Sequence, residues 1–242
     1  MKPKFKPVGD SAIQVEFEQK IAPEINAQVT GFADLIKNAK IEGIIDMIPA
    51  FCTLLINYDA RIITYETLSA RLDSLTELEI KGKARVAKVY EIPVLYGGEY
   101  GPDLVNIANH AGLSSDEVID IHSGVDYLIY MLGFMPGFPY LGGLNPKIHT
   151  PRLDNPRLKI PSGSVGIGGE QTGIYPLESP GGWQLLGRTP ILTYDPIRSE
   201  PILFDAGDYI RFIPITEQVY EEIAQAVAQN TYQYISYEKE LK

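Results

Sequence analysis

The stretch from Met131 to Pro190 constrains the fold of this 242-residue chain more than any other part, because it is dense in glycine, proline and aromatic residues. Between Gly133 and Pro190 lie 12 of the 22 glycines, nine of the 18 prolines and the only tryptophan, Trp183. Ordinary loops are short, and a disordered segment would be poor in aromatic residues. The apolar content therefore favours a built surface, which is where function is expected.

Short strands separated by glycine and proline are predicted for the second half of the chain, and they indicate a closed or nearly closed β-barrel. After them, Thr216 is placed to cap a terminal helix with a buried stripe of Val219, Ile223 and Val227. Residues 232–242 are expected to fray. The predicted strands are Val125–Leu132, Lys159–Gly168, Gly173–Pro176, Trp183–Thr189 and Tyr209–Pro214.

The first 90 residues show a different pattern, in which strands and helices alternate. Ser11–Phe17 alternates apolar and polar residues as a half-buried strand does, and Ile25, Val29, Phe32 and Ile36 have helical spacing. The predicted order is β-α-β-β-α-β, the split arrangement of a ferredoxin-like sandwich. The elements are the strands 11–17, 41–50, 53–58 and 84–96 and the helices 23–39 and 64–75.

The predicted fold class is therefore α+β, with an N-terminal ferredoxin-like small α/β domain over residues 1–90 and a C-terminal β-barrel domain over residues 91–242. Pro93 confines the last N-terminal strand to an edge or sends it onward into the next domain. Two short helices are predicted after it. Asp103 caps the first and Gly112 ends it. Ser114 or Ser115 caps the second, with Glu117 near the capping-box position for Ser114.

Composition excludes several classes of protein. No run of about 18 apolar residues occurs, so no membrane span is expected, and the N-terminal residues lack the apolar core of a secretory signal. The single cysteine, Cys52, cannot form an intramolecular disulfide, so a cytoplasmic protein is expected. The net charge of −10 disfavours binding to nucleic acid.

Residues 133–190 are positively charged although the chain is acidic. They include five basic and three acidic residues, so they carry two net positive charges. Such a surface suits a small carboxylate or phosphate, or an acidic partner; alternatively, the arginines fix loops by bonding to backbone carbonyls. The basic residues are Lys147, Arg152, Arg157, Lys159 and Arg188, and the acidic ones are Asp154, Glu170 and Glu178.

No complete catalytic motif is found, so no catalytic residue is identified. The glycine run Gly163–Gly169 lacks the ending of a Walker A loop and the spacing of a dinucleotide fingerprint. The three histidines have no metal-ligand spacing, so no metal site is predicted. A Gly-x-Ser-x-Gly elbow is absent from the sequence.

The candidate site is an anion-binding cleft within the same block. Arg152 and Arg157 flank Asp154 between prolines, and a guanidinium group matches a carboxylate or phosphate with two hydrogen bonds; alternatively, one of them pairs with Asp154. Gln171, Tyr175, Trp183 and Arg188 are predicted to line the same cleft. Phe134, Phe138 and Tyr140 are candidates for core, ligand wall or partner surface, and so is Trp183.

Taken together, these motifs resemble those of the KipI family, whose members are also called B subunits of 5-oxoprolinase. The resemblance covers nearly the whole chain, and it implies a small N-terminal α/β domain followed by a cyclophilin-like β-barrel. Such a barrel does not by itself bring prolyl isomerase activity. The matching segments are Gly9–Ala12, Gly133–Leu144, Thr150–Arg152, Pro161–Pro176, Ser179–Trp183 and Gly187–Pro190.

The resemblance also implies an activity. A member would be one component of an ATP-dependent 5-oxoprolinase, inactive alone, which cleaves 5-oxo-L-proline to L-glutamate together with the C subunit, its direct partner, and the A subunit. ATP with Mg²⁺ would act at the level of the complex. The alternative that the resemblance implies is an inhibitor of a sporulation histidine kinase, which would bind the kinase through its C-terminal domain.

Opening the stable lactam of 5-oxoproline requires activation, and phosphorylation of the amide oxygen is the hypothesis here. A phosphorylated intermediate needs positive charge and oriented N–H donors around it. The side chains expected to supply the charge are Arg152, Arg157, Lys159 and Arg188, and the backbone N–H groups are those of Gly166, Gly168 and Gly169.

Overall fold

The structure is a computed structural model, and it describes residues 2–77 and 87–239. The chain divides into two compact units, Met1–Arg85 and Val86–Lys242. The first contains strands β1 (Lys4–Val8), β2 (Ala12–Glu16), β3 (Ile44–Pro49) and β4 (Thr53–Tyr58) and helices α1 (Pro23–Ala39) and α2 (Tyr65–Leu75). The second contains β5 (Ala87–Tyr96), α3 (Leu104–Ala111), α4 (Ser115–Ser123), β6 (Asp126–Leu132), β7 (Pro139–Gly142), β8 (Arg157–Ile160), β9 (Ser164–Gly168), β10 (Gln171–Ile174), β11 (Ser179–Gly181), β12 (Gln184–Arg188), β13 (Tyr209–Pro214), α5 (Glu217–Ala228) and β14 (Ser236–Lys239).

In the first unit, an antiparallel sheet with the strand order β1-β2-β4-β3 packs against α1 and α2. The helical spacing predicted for α1 is confirmed, because all four residues of its stripe are buried. Pro23 opens this helix, where the missing N–H of proline has no intrahelical acceptor to lose. Thr64 caps α2 by accepting from the N–H of Thr67.

The ferredoxin-like order predicted for the first unit is not confirmed. The strand over 84–96 was expected to close its sheet, but the described part of that strand, β5, pairs with β12, β13 and β14 of the second unit. The edge beside β2 is occupied by β1, through a hairpin with Gly9 at φ 62°. An antiparallel hairpin needs only a short turn, so the N-terminal residues reach this edge without a crossover. Residues 84–86 of the predicted strand lie outside the described residues.

The second unit contains a closed barrel of seven strands in the order β12-β9-β10-β7-β6-β13-β5, because β12 pairs with β9 on one side and with β5 on the other. Strand β14 adjoins β5 outside this ring, and β8 pairs separately with β11. Val165, Ile167 and Phe212 are among the fully buried residues of the core. The predicted barrel is therefore confirmed, while its likeness to cyclophilin stays an expectation from the resemblance.

Two predictions for the C-terminal residues are wrong. Thr216 does cap α5 as expected, but none of the residues of this fully described helix is buried, and Val219 remains 36% exposed. The segment from Tyr232 was expected to fray, yet Ser236–Lys239 pairs with β5. Lys239 explains part of this order, because its ammonium group lies 2.7 Å from a carboxylate oxygen of Asp126. No helix in the described residues is long and apolar enough to cross a membrane.

A buried histidine joins α4 to the barrel. The capping box predicted from Ser114 and Glu117 is present at the start of this helix, and His122 lies in its last turn. The Nδ1 atom of His122 is 2.8 Å from the hydroxyl of Tyr96, and the Nε2 atom is 2.9 Å from Oγ1 of Thr172. Because Thr172 donates its own proton to a backbone carbonyl, it must accept from Nε2–H, and Tyr96 must donate to Nδ1. One neutral tautomer satisfies the whole chain of hydrogen bonds.

Candidate functional site

Five aromatic side chains from the glycine- and proline-rich block surround a cleft of about 320 Å³, called here the aromatic cleft. Phe138 is their centre. Its ring centroid lies 4.9 Å from that of Tyr140, 5.3 Å from Tyr175, 5.6 Å from Trp183 and 5.7 Å from Phe134. Three of these four pairs are edge-to-face, an arrangement that aromatic rings favour. The lining residues are Phe134, Phe138, Tyr140, Arg152, Tyr175, Pro180, Gly181, Gly182 and Trp183.

The glycines of the block allow these rings to pack. A Cβ atom on Gly168 would collide with the indole ring of Trp183, and one on Gly181 would lie 2.6 Å from the hydroxyl of Tyr175. The glycine run therefore serves ring packing here. The N–H of Gly169 donates to the carbonyl of Thr150, and Gly166 lies in β9 between two paired strands.

Arg152 is the cation of the aromatic cleft. Its guanidinium carbon lies 5.9 Å from the ring centroid of Trp183, within the range of a cation–π contact. Among the residues that the structure describes, Arg152 has no hydrogen-bond or ion-pair partner, and no acidic residue lines the cleft. The positive charge at this position is therefore not neutralised.

The other predicted cations do not gather around the cleft. Lys159 forms an exposed ion pair of 3.0 Å with Glu178, and Arg188 lies over the ring of Tyr100 at 5.3 Å. Gln171 begins β10 and is half-buried, but it is not among the residues that line the cleft. The predicted set of anion-binding side chains is thus divided among several places.

Arg157 forms an ion pair with Asp103. It does not pair with Asp154, which was the alternative to anion binding in the sequence analysis. The Nη2 atom of Arg157 donates to Oδ1 of Asp103 at 2.7 Å, and the other carboxylate oxygen accepts from the N–H of Leu185 at 2.7 Å. Arg157 also donates to the carbonyl of Trp183 at 3.5 Å. Asp103, only 3% exposed, therefore holds the backbone at Leu185 directly and at the carbonyl of Trp183 through Arg157.

Asp103 occupies the N-cap position of α3, as predicted, but its side chain makes no cap hydrogen bond. Its carboxylate instead accepts hydrogen bonds from Arg157 in β8 and from the N–H of Leu185 in β12. Sequence reasoning missed this role because Asp103 and Leu185 are 82 residues apart, and no local pattern joins them.

The two tyrosines of the cleft present neutral phenols at neutral pH. Burial raises the pKa of Tyr140, and the charge of Arg152 opposes that shift. Burial likewise raises the pKa of Tyr175, while a hydrogen bond with the backbone of Trp183 and the charge of Arg152 oppose it. Arg152 acts on both phenols because it lines the same cleft. The cleft thus combines one cation, two phenols and apolar walls.

Phe134 has an unusual backbone for a phenylalanine. Its φ is 67°, in the left-handed region, and its side chain is 66% exposed. Non-glycine residues in this region cost about 1–2 kcal/mol, and such strain is concentrated at functional sites. Phe134 lines the aromatic cleft and also a neighbouring hollow that includes Met135 and Ile202.

We expect Phe134→Gly to be more stable than Phe134→Ala by about 1 kcal/mol, because alanine keeps the Cβ strain and glycine does not. Urea denaturation of both variants measures the difference. Val105, 60% exposed in α3, is the matched control. There the alanine variant is expected to be the more stable, since glycine weakens a helix. The same ranking at both positions would contradict the assignment of strain.

Comparison with known proteins gives consistent results. Residues 3–204 match the family model described as carboxyltransferase domain, subdomain C and D. The B subunit of 5-oxoprolinase from Bacillus subtilis (strain 168) is 43% identical in an alignment of 223 positions that covers 88% of this chain and 93% of that protein.

Two solved structures extend the comparison. The crystal structure of TTHA0988 has a TM-score of 0.74 at 37% identity, over 85% of this chain but 40% of that one, so this chain spans less than half of that protein. The urea amidolyase of K. lactis has a TM-score of 0.84 at 23% identity, over 98% of this chain and 16% of that one. At this identity, the second likeness shows the fold alone.

Proposed function

We propose that this chain, which belongs to the family of carboxyltransferase domain subdomains C and D and within it to the KipI family of 5-oxoprolinase B subunits, is the B subunit of an ATP-dependent 5-oxoprolinase. In this function it acts with the A and C subunits to cleave 5-oxo-L-proline to L-glutamate. The observation that carries the proposal is the likeness to the Bacillus subtilis protein over nearly its full length.

The aromatic cleft supports a role in a shared site. Among the described residues that line it there is no serine, cysteine, histidine or carboxylate, and burial raises the pKa of Tyr140 and Tyr175 and keeps their phenols protonated. The cleft therefore offers binding groups without a nucleophile or a general base. A reaction that opens a stable lactam needs a nucleophile and a general base. We therefore assign these catalytic groups to a partner subunit that completes the site.

The described residues do not fit ATP with its metal ion. Within residues 2–77 and 87–239, no three side chains of His, Cys, Asp or Glu come together to hold a metal. The glycine run is also unsuited to a phosphate group, because Gly166 lies in a paired strand and Gly169 donates to Thr150. ATP and Mg²⁺ are accordingly assigned to a partner in the complex, and no step through them is assigned to this chain.

A mixing assay tests the proposal. With all three purified proteins, we expect release of inorganic phosphate from ATP that depends on 5-oxoproline, together with formation of glutamate. Leaving out this chain is expected to return both rates to the background measured without 5-oxoproline. Leaving out each of its two partners in turn is the control. Equal substrate-dependent rates with and without this chain, when both partners are present, would refute the proposal.

A further inference from the structure

We infer that the aromatic cleft is the binding site for the small, flat carboxylate that the reaction consumes, with Arg152 as the partner of the carboxylate group. The identity of that ligand as 5-oxoproline rests on the proposed function. The class of ligand does not, because charge, shape and rigidity of the cleft each point to it.

The charge of the cleft selects an anion. Arg152 is its one charged lining residue, and in the described part of the chain it has no acidic partner. Arg157 and Lys159, by contrast, are already paired with Asp103 and Glu178. The guanidinium group of Arg152, which is exposed to solvent, can donate two hydrogen bonds to a carboxylate, whereas a neutral or cationic ligand offers it no negative charge.

The walls of the cleft select a compact, flat body. Phe138 and Trp183 are 2% and 4% exposed, so the interior side of the cleft is packed and fixed. A volume of about 320 Å³ lies at the small end of the range for ligand sites. A five-membered lactam ring presents flat faces to such rings, and its carboxylate projects from the edge where Arg152 can reach it.

The support behind the cleft is rigid, which favours binding of a small ligand. Asp103 holds Leu185 directly and holds the carbonyl of Trp183 through Arg157. These contacts fix the backbone that follows the tryptophan, from its own carbonyl to Leu185 in β12. Phe134, which is strained and largely exposed, is placed to adjust on binding.

The only tryptophan of the chain provides the test, because Trp183 forms a wall of the cleft. Titration of the full chain alone with 5-oxoproline is expected to change its fluorescence in a saturable way, with calorimetry as a second measurement of binding. The neutral lactam 2-pyrrolidone, which lacks the carboxylate, is expected to bind at least tenfold more weakly, and Arg152→Ala is expected to weaken 5-oxoproline by at least tenfold.

Two controls make the test specific. Arg152→Lys keeps the charge but loses the bidentate geometry, so partial retention of affinity is expected. Arg71→Ala removes an exposed arginine of the first unit, in α2, and is expected to leave the titration unchanged.

Several results would overturn the inference: no binding of 5-oxoproline by either method, equal affinity for 2-pyrrolidone, or full affinity in Arg152→Ala. Saturation by a proline-containing peptide but not by 5-oxoproline would identify a peptide groove instead. If the mixing assay fails but the titration succeeds, the proposed function is refuted and the carboxylate site stands. If the mixing assay succeeds but the titration fails, the proposed function stands and the carboxylate site is refuted.

Discussion

Replacing Asp103 with alanine is expected to lower the free energy of unfolding by about 3 kcal/mol or more, which is the cost of removing one partner from a buried ion pair. The carboxylate is 3% exposed and accepts from both Arg157 and the N–H of Leu185. Alanine leaves the buried N–H of Leu185 without an acceptor and removes the carboxylate partner of Arg157, whose side chain is 29% exposed. Urea or guanidinium denaturation of the full chain measures the change.

Asp154→Ala is the matched control for this prediction. Asp154 is exposed and lies close to Arg157 in the sequence, but it does not pair with that residue in the structure. Its removal is expected to change the free energy of unfolding by no more than about 0.5 kcal/mol. Asp103→Asn, which keeps one acceptor oxygen, is expected to fall between the two alanine variants. An equal cost for Asp103→Ala and Asp154→Ala would contradict the assigned pairing.

The loss of Asp103 is also expected to reach the aromatic cleft, although this residue does not line it. Without the carboxylate, the backbone at Leu185 loses its acceptor and Arg157, which donates to the carbonyl of Trp183, loses its partner. We expect the tryptophan emission of folded Asp103→Ala to shift to longer wavelength, as it does when an indole gains access to water. Asp103 is therefore a positioning residue, and its effect on ligand affinity would follow from the displaced ring.

Much of the fold could be predicted from local patterns. The stripe of α1, the capping box at Ser114, the cap at Thr216 and most barrel strands are each specified within a few residues. Sheet membership could not be predicted in this way. The pattern of β5 is the same whether it closes the first sheet or enters the barrel, and only its partners, such as β13 more than 100 residues later, decide.

The candidate site could likewise be predicted only in part from the sequence. Composition drew attention to the aromatic residues and to Arg152, and the structure brings these residues together around one cleft. Composition could not separate this cation from Arg157, because the partner of Arg157 lies 54 residues away in the chain. The glycines were also ambiguous, since a small residue suits a phosphate group and a packed indole ring equally well. The contact between Gly168 and Trp183 resolves that ambiguity in favour of packing.

Acidification is expected to destabilise the second unit through His122. Burial lowers the pKa of this histidine to about 3 in the folded protein, whereas an unfolded histidine has a pKa near 6.5. Between these values the unfolded state binds one more proton, so stability falls as the pH decreases. The slope approaches about 1.4 kcal/mol per pH unit. Denaturation midpoints measured from pH 7 down to pH 4 give this dependence.

Carboxylates also titrate in that range. The contribution of His122 is therefore the difference between the pH dependence of stability of the parent protein and that of His122→Gln. Glutamine has a donor and an acceptor for Thr172 and Tyr96, but it does not titrate. At neutral pH, His122→Gln is expected to lower the free energy of unfolding by about 1–3 kcal/mol, because glutamine replaces the hydrogen bonds imperfectly. As the pH falls, the free energy of unfolding of this variant is expected to decline less steeply than that of the parent protein. Tyr96 does not contribute to this window, because burial raises its pKa well above the ordinary value. His110→Gln, at an exposed position of α3, should retain the full slope of the parent. If His122→Gln and the parent lose stability in parallel below pH 6.5, the buried neutral histidine is not the cause.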